Sequence, residues 1–441
     1  MLKGIWNAFI ALFMIVTIAA ANIIPESILV LSDEKLNNLV NGTDPTNNVG
    51  RLISQLTSKG EVTFKQYSDD NLEVFFGGDI KYDHLVLLPS SKKTVGDKAH
   101  FTAQSLKDFI NGGGNVLIVG DCDAQQPEPI KALLNDIGIY PSPKGYQLLD
   151  HFNVGSEGSG IKLDNSNLIS NRIVDSLLID SYKGGAALIS GNELLFPLVK
   201  GSKTSFTADS KKADVPLTQE SAWTFGNQGF AAVAFQALNN ARISWVGSSQ
   251  LLSPQLVLWT LKDRDVLKLQ FVTHSKESAP EKVDPKIYRV TEQVLYTIGV
   301  SELVDGKWVP FEVKNEEDKL QLSFKMLDPY QRINMQPLGP VSSNENDSRL
   351  DTYAYLANFT VPDHHGVFTF ELDYKRPGLS YLMDNRLVTV RHLANDEFKR
   401  SWEITNAWLY VACAGIVVVA WCLFVINFIY IGKPNTSKKH Q

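Results

Sequence analysis

The feature that most constrains the fold is an apolar stretch near the end of the chain. Residues 407–431 contain no charged residue. A bilayer core about 30 Å thick is crossed by about 20 helical residues, so this stretch is long enough to span a membrane. Trp408 and Tyr430 lie near its ends, where aromatic rings favour the headgroup level. A buried core helix is the alternative, but core helices this long and uniformly apolar are rare. The pattern therefore predicts a transmembrane helix over 407–431 and a tail over 432–441.

The first residues have the pattern of a secretory signal peptide. Lys3 gives a positive start, residues 5–18 form an apolar run, and residues 19–21 are three alanines suited to cleavage. Cleavage after Ala21 makes residues 1–21 the signal peptide, and an uncleaved anchor is the alternative. With one span near the other end, the pattern predicts a type I membrane protein whose bulk is lumenal or extracellular.

Short sequence motifs at both sides of the predicted membrane agree with this topology. Asn-x-Ser/Thr sequons begin at Asn41, Asn346 and Asn358, which makes them candidate glycosylation sites. About one or two such triplets are expected by chance, so their support is limited. Lys438 and Lys439 match the dilysine retrieval signal of type I proteins, with a solvated stop-transfer cluster as the alternative. The tail therefore predicts the endoplasmic reticulum membrane.

The first 270 residues alternate between short apolar strands and helices. Residues 27–31, 84–88 and 115–120 are apolar runs of strand length, and 103–110 and 129–137 have helical patterns. Such alternation is typical of βαβ units and a parallel sheet. The pattern predicts an α/β domain over residues 22–270. A change to short runs separated by Gly, Ser and Asn predicts a β-rich insertion at about 150–214.

The next hundred residues alternate with the period of strands. Residues 276–285 are charged and contain two prolines, which predicts a linker. Four alternating segments follow, at 319–324, 353–361, 367–372 and 386–390. Their spacing predicts an antiparallel β-sandwich over residues 286–395.

Composition narrows the classes of function. The net charge is −6, which gives no basic stripe and argues against a nucleic-acid partner. Of the three cysteines, Cys413 and Cys422 lie in the predicted span, so Cys122 has no disulfide partner within the lumenal part. No motif predicts a cofactor or a metal site.

The sharpest catalytic candidate is Cys122, which follows the strand at 115–120. A nucleophile on a strand-to-helix turn is how amidotransferase-like and hydrolase folds expose a thiol or hydroxyl. A catalytic thiolate also needs a base and a lowered pKa. Asp121 and Asp123 flank Cys122 and would raise its pKa, and His151 is the nearest downstream histidine. We expect the turn to be structural, with a thiol hydrolase or amidotransferase as the alternative function.

The predicted span has a face of small and polar residues. Cys413, Ala420 and Asn427 recur every seven residues, so they share one helix face. Such a stripe lets a neighbouring helix approach and form hydrogen bonds, and an asparagine that faces lipid would be costly. Chance recurrence is the alternative. We expect these residues to form a face for a helix partner.

Four segments that run through the whole lumenal part in order carry a resemblance to a known family. They are residues 113–119, residues 238–243 with 246–248, residues 306–311, and residues 359–378. Together they resemble the 48 kDa-type accessory subunit of the oligosaccharyltransferase complex. The dilysine tail resembles the fungal branch of that family.

The resemblance implies a complex that transfers a preassembled glycan from dolichyl diphosphate to asparagine in Asn-x-Ser/Thr. It implies that another, multi-spanning subunit is catalytic, and that this chain is accessory. Its N-terminal domain would then be amidotransferase-like and doubly wound, without a working active site. The implied partners are the other subunits and membrane lipid, with the dolichyl-linked glycan as a further candidate. A cycling cargo receptor is the third alternative.

Overall fold

The computed structural model describes residues 26–33, 48–124, 126–155, 160–170, 172–209, 218, 221–304, 306–313, 317–327, 329–342, 350–398 and 406–430. The predicted signal peptide and the tail after residue 431 lie outside these ranges. Three parts follow one another: a mixed α/β part, a β-rich part and an apolar helix.

Five parallel strands form the centre of the first part. They are β1 (Glu26–Ser32), β2 (Gly60–Gln66), β5 (His84–Leu87), β6 (Asn115–Val119) and β16 (Arg242–Val246). Their order across the sheet is β2-β1-β5-β6-β16. β5, β6 and β16 are buried along their whole length, as expected for parallel strands covered on both faces.

Antiparallel strands extend this sheet beyond β16 to nine strands. They are β15 (Phe230–Gln236), β11 (Ala187–Ile189), β7 (Ile139–Pro141) and β12 (Leu195–Lys200). β15 and β16 form a hairpin whose turn contains Asn240, at a positive φ of 64° that asparagine tolerates. β11 and β12 fall within the predicted β-rich insertion and also belong to the main sheet. The insertion is thus partly built into that sheet.

Short strands form three small sheets beside the main one. They are β3 (Phe75–Phe76) with β4 (Asp79–Ile80), β9 (Ile161–Leu163) with β10 (Ile179–Tyr182), and β8 (Tyr146–Leu149) with β13 (Phe206–Asp209) and β14 (Ala222–Phe225).

Helices cover both faces of the main sheet. They are α1 (Asn48–Lys59), α2 (Ala103–Asn111), α3 (Glu128–Ile137) and α4 (Pro254–Thr260). Alternate residues of β1 enter two separate cores: Ile28 and Val30 pack with α1 and α4, whereas Leu29 and Leu31 pack with α2 and α3. The main sheet is therefore wound on both sides. Gly138, at a φ of 103°, ends α3 in the left-handed conformation that glycine adopts without strain.

Two five-stranded sheets make the β-rich second part. One contains β17 (Val266–Lys276), β19 (Gln293–Val304), β20 (Lys307–Pro310), β23 (Gln336–Val341) and β24 (Thr352–Thr360). The other contains β18 (Ile287–Arg289), β21 (Gln321–Lys325), β22 (Pro329–Asn334), β25 (Gly366–Tyr374) and β26 (Leu382–Arg391). Both sheets contribute to one buried core, in which Phe324 stacks on Phe368 with ring centroids 4.6 Å apart.

The second part starts earlier than the sequence predicted. β17 precedes the predicted start at residue 286 and pairs with β19 along most of its length. The charged residues 276–285 contain the turn that follows β17 inside this part, so they do not link two domains. Charge and proline mark exposed turns as well as linkers, so composition alone does not distinguish the two.

The last described element is α5 (Ala407–Tyr430), a helix of 24 residues with mean hydropathy 2.7. Within the described part of the chain it is the one helix long and apolar enough to cross a membrane. None of its residues is buried against the rest of the chain.

Candidate functional site

The predicted nucleophile turn lies at the carboxyl edge of the parallel strands. The Gly120 N–H donates to the carbonyl oxygen of Val246 at 2.7 Å, which ties the end of β6 to the end of β16. The Cys122 carbonyl oxygen accepts from the Gly145 N–H at 2.8 Å. The turn is thus held by main-chain bonds on both sides.

The chemistry of Cys122 opposes nucleophilic catalysis. Burial raises the pKa of the Cys122 thiol, and the charges of Asp121 and Asp123 add to that effect, bringing the pKa to about 12. The thiol is therefore protonated at neutral pH, whereas a nucleophilic cysteine must be a thiolate. His151 packs against Phe206, with ring centroids 5.2 Å apart. The turn thus has the position of a nucleophile without the electrostatics of one.

A second site at the same edge was missed by the sequence analysis. The strand order reverses at β1, which lies between β2 and β5, and such switch points are where open α/β sheets bind ligands. The buried carboxylate of Asp33 accepts from the main-chain N–H of Ser91 at 2.9 Å and from the Ser91 hydroxyl. In the sequence, the position of Asp33 directly after the apolar run of β1 was the signal for this site.

The amino edge of the same strands contains a network of ionisable and amide groups. Glu26 contacts Lys59 at 2.8 Å and His84 at 3.1 Å, and the other nitrogen of His84 contacts the Asn115 side chain at 3.1 Å. Burial alone would raise the pKa of Glu26, but hydrogen bonds from His84 and Lys59 outweigh it and lower the pKa to about 2. Glu26 is therefore ionised at neutral pH and holds the ends of β1 and β5 together.

The two folded parts are joined by reciprocal hydrogen bonds. The Asn240 side chain donates to the carbonyl oxygen of Tyr381 at 3.1 Å and accepts from the Tyr381 N–H at 2.6 Å. The Gln236 side chain donates to the carbonyl oxygen of Leu379 at 2.8 Å. We call the contact of residues 236–242 with residues 376–381 the seam. The seam overlaps the ends of two segments that carry the family resemblance, 238–243 and 359–378.

Arg242 is the buried centre of the seam. Its guanidinium donates four hydrogen bonds, to the carbonyl oxygens of Trp259, Arg264 and Asp265 and to the Ser380 hydroxyl, at 2.7–3.2 Å. Burial lowers the pKa of Arg242 to about 9, so it stays charged at neutral pH. Arginine within a strand is more often exposed, so the sequence alone does not mark Arg242 as a buried residue.

The three residues of the predicted helix face can be placed on α5. Cys413, Ala420 and Asn427 lie along one side of α5, seven residues apart, and each is exposed. The predicted retrieval residues Lys438 and Lys439 lie outside the described residues.

One predicted glycosylation site can be placed on the fold. Asn358 and Thr360 are both exposed on the same face of β24, and the Thr360 hydroxyl accepts from the Gln293 side chain at 2.8 Å. Asn41 and Asn346 lie outside the described residues.

Comparison with known proteins covers both folded parts. The family model "OST48, N-terminal domain" matches residues 19–273, and "OST48 middle domain" matches residues 273–432.

Three curated relatives are similar over most of their length. The chain is 34% identical over 379 residues, 81% of this chain and 82% of the relative, to the Saccharomyces cerevisiae dolichyl-diphosphooligosaccharide–protein glycosyltransferase subunit WBP1. It is 30% identical over 403 residues (85% and 87%) to subunit wbp1 of Schizosaccharomyces pombe. It is 28% identical over 444 residues (92% and 94%) to the 48 kDa subunit of Danio rerio. The chain therefore belongs to the OST48 family.

Proposed function

We propose that this chain is a non-catalytic subunit of an oligosaccharyltransferase complex. Such a complex transfers a preassembled glycan from dolichyl diphosphate to asparagine in Asn-x-Ser/Thr of nascent proteins. The carrying observation is the family match, whose two models adjoin and cover residues 19–432. The three relatives are all named as subunits of this glycosyltransferase.

The state of Cys122 supports an accessory role. A thiol with a pKa of about 12 is a poor nucleophile at neutral pH, so the thiol hydrolase alternative has no chemical support at this turn. The names of the relatives do not support a thiol hydrolase or a cargo receptor. The glycosyl transfer then belongs to another, multi-spanning subunit of the complex.

We further propose the domain plan that the sequence predicts. Residues 1–21 are a signal peptide, residues 22–270 an amidotransferase-like lumenal domain, and residues 286–395 a lumenal sandwich joined by β17. Residues 407–431 span the membrane and residues 432–441 form the cytosolic tail. The parallel strands with helices on both faces, and the apolar helix α5, support this plan.

This plan places the protein in the endoplasmic reticulum membrane as a type I protein with its bulk in the lumen. Lys438 and Lys439 would serve as the retrieval signal. Asn41, Asn346 and Asn358 would be lumenal glycosylation sites, and the exposure of Asn358 and Thr360 on β24 supports the last of these. Asn358→Gln should then remove one endoglycosidase-sensitive step in electrophoretic mobility.

The helix face is the proposed contact with the rest of the complex. Cys413, Ala420 and Asn427 would pack against a helix of another subunit, with lipid around the remaining surface of α5. The lumenal part would then lie beside the catalytic subunit, where the dolichyl-linked glycan is a further candidate partner.

Depletion of the chain from cells tests this function. We expect a secreted reporter with several sequons to lose glycans, and the full-length chain to restore them. A chain without residues 407–441, expressed with a soluble retrieval signal, is the matched control and should not restore them. Normal glycosylation after depletion would exclude the proposal.

A further inference from the structure

A polar cleft lies beside the Cys122 turn and is not explained by the proposed function. It encloses about 290 Å³ at the carboxyl ends of β6 and β16. This volume is near the lower end of the roughly 300–1,000 Å³ that ligand sites enclose, which leaves room for a small ligand. Cys122 itself is not among the described residues that line the cleft. The chemistry of the cleft is therefore set by other side chains.

The charged residues of the cleft favour an anion. Lys93, Lys131 and Lys144 line it from three different segments, and Asp121 is the acidic residue among the described lining residues. All three lysines have exposed side chains, so their ammonium groups can reach a ligand in the cleft. Three donors of positive charge against one carboxylate give the cleft a net attraction for negative groups.

A buried donor at the cleft wall lacks an acceptor. Trp245 lines the cleft, is 2% exposed, and has no hydrogen-bond partner for its indole N–H among the described residues. The indole nitrogen can only donate. A buried donor left unsatisfied is costly, so such groups in native proteins usually have a partner. An oxygen bound in the cleft would supply one.

The start of α3 contributes to the same wall. Gln126 and Lys131, on either side of the first turn, both line the cleft. No side chain caps this ten-residue helix, whose N-cap position is Pro127. The Glu128 N–H already donates to the Lys93 carbonyl oxygen at 2.9 Å and Pro129 has no N–H, so what this end offers an anion is the helix dipole.

We propose that this cleft binds a small oxyanion of the phosphate class. Its oxygens accept from the Trp245 indole N–H, and the lysines balance its charge. Free phosphate or diphosphate and a phosphate-bearing lipid headgroup share this chemistry. The proposal does not rest on the proposed function, since it follows from residues of the cleft alone.

Equilibrium binding to the full-length chain in detergent micelles tests it. The probes are radiolabelled inorganic phosphate and diphosphate, a short-chain phosphatidic acid, and oligoglutamate as a carboxylate. We expect saturable binding of a phosphate probe, weakened about tenfold or more in Lys131→Gln/Lys144→Gln. Lys98→Gln/Lys307→Gln removes two exposed lysines elsewhere and should bind normally.

Trp245→Phe separates ligand binding from packing. It keeps a ring in the core but removes the N–H, so affinity should fall about threefold to tenfold. Thermal melting monitored by circular dichroism verifies that each variant is folded. Binding of the free anions identifies a soluble ligand, whereas binding of phosphatidic acid alone identifies a headgroup. Absence of saturable phosphate binding, equal affinity in the cleft variants, or binding of oligoglutamate alone would overturn the proposal.

Discussion

The guanidinium of Arg242 lies 4.6 Å from the centre of the Trp259 indole ring and donates to the Trp259 carbonyl oxygen at 2.7 Å. Trp259 in turn donates its indole N–H to the carbonyl oxygen of Gly378, in the second part, at 2.7 Å. One buried cation and one buried indole thus connect the α/β part with the β-rich part. The two parts should therefore unfold together.

Replacing the buried arginine should weaken both parts. Arg242→Met leaves three carbonyl oxygens and the Ser380 hydroxyl without this donor, so we expect a loss of about 3 kcal/mol or more. The measurement is the thermal unfolding midpoint of the full-length chain in detergent. Arg51→Met, on the exposed side of α1, is the control and should change stability by less than about 0.5 kcal/mol. An unchanged midpoint in Arg242→Met would show that the seam does not stabilise the fold.

The Glu26 network should make stability depend on pH in acid. The folded-state pKa of Glu26 is about 2, below the ordinary glutamate value of 4.5, so its contribution to stability is present above pH 4.5 and is lost as the pH falls towards 2. Because its side chain is 42% exposed, we expect about 1–2 kcal/mol after solvent screening. In Glu26→Gln, the thermal unfolding midpoint should depend less on pH between pH 5 and 2. In Glu61→Gln on β2, that pH dependence should equal the wild type's. If the unfolding midpoint of Glu26→Gln depends on pH as strongly as that of the wild type, Glu26 is not the group responsible.

Removal of the Cys122 thiol should leave glycosylation intact. Its raised pKa keeps it protonated, so Cys122→Ala removes no reactive group and costs little packing at a half-buried turn. We expect glycan transfer to a peptide acceptor in microsomes to stay within about twofold of wild type. Loss of glycan transfer in a variant present at normal abundance would support the thiol hydrolase or amidotransferase alternative.

The helix face should matter for assembly and not for insertion. Asn427→Leu removes a side chain that can bond to another helix, a contact worth about 0.6–2 kcal/mol. We expect normal carbonate-resistant membrane insertion but earlier dissociation of the complex as detergent concentration rises. Val425→Leu, on the other side of α5, is the matched control. Equal dissociation of the two variants would make α5 an anchor alone.

Local elements could be predicted from the sequence, because their signals are local. The apolar runs at 27–31, 84–88 and 115–120 correspond to β1, β5 and β6, and the helical patterns at 103–110 and 129–137 end within one residue of the ends of α2 and α3. The apolar stretch predicted α5 to within one residue of its end. Burial on both faces of a strand leaves a continuous apolar run, and its short length and flanking turn residues indicate a strand.

Contacts between distant residues could not be predicted in the same way. The hydrogen bond between Gln236 and Leu379 joins residues 143 positions apart, and neither local sequence identifies the other as its partner. The cleft at Trp245 was missed for the same reason, since its lysines come from separate segments. The pairing of β17 with β19 is likewise not apparent from the sequence, because the charged turn after β17 has the composition of a linker.

Affinity purification is the sharpest test of membership in a working oligosaccharyltransferase complex. The full-length chain, tagged near its N-terminus after the signal peptide, is recovered from microsomes solubilised in mild detergent. The eluate is assayed for glycan transfer from a dolichyl-diphosphate donor to an Asn-x-Thr peptide. We expect a multi-spanning catalytic subunit and the transfer activity to be recovered with the chain. Recovery of a lone, folded chain without transfer activity would contradict it.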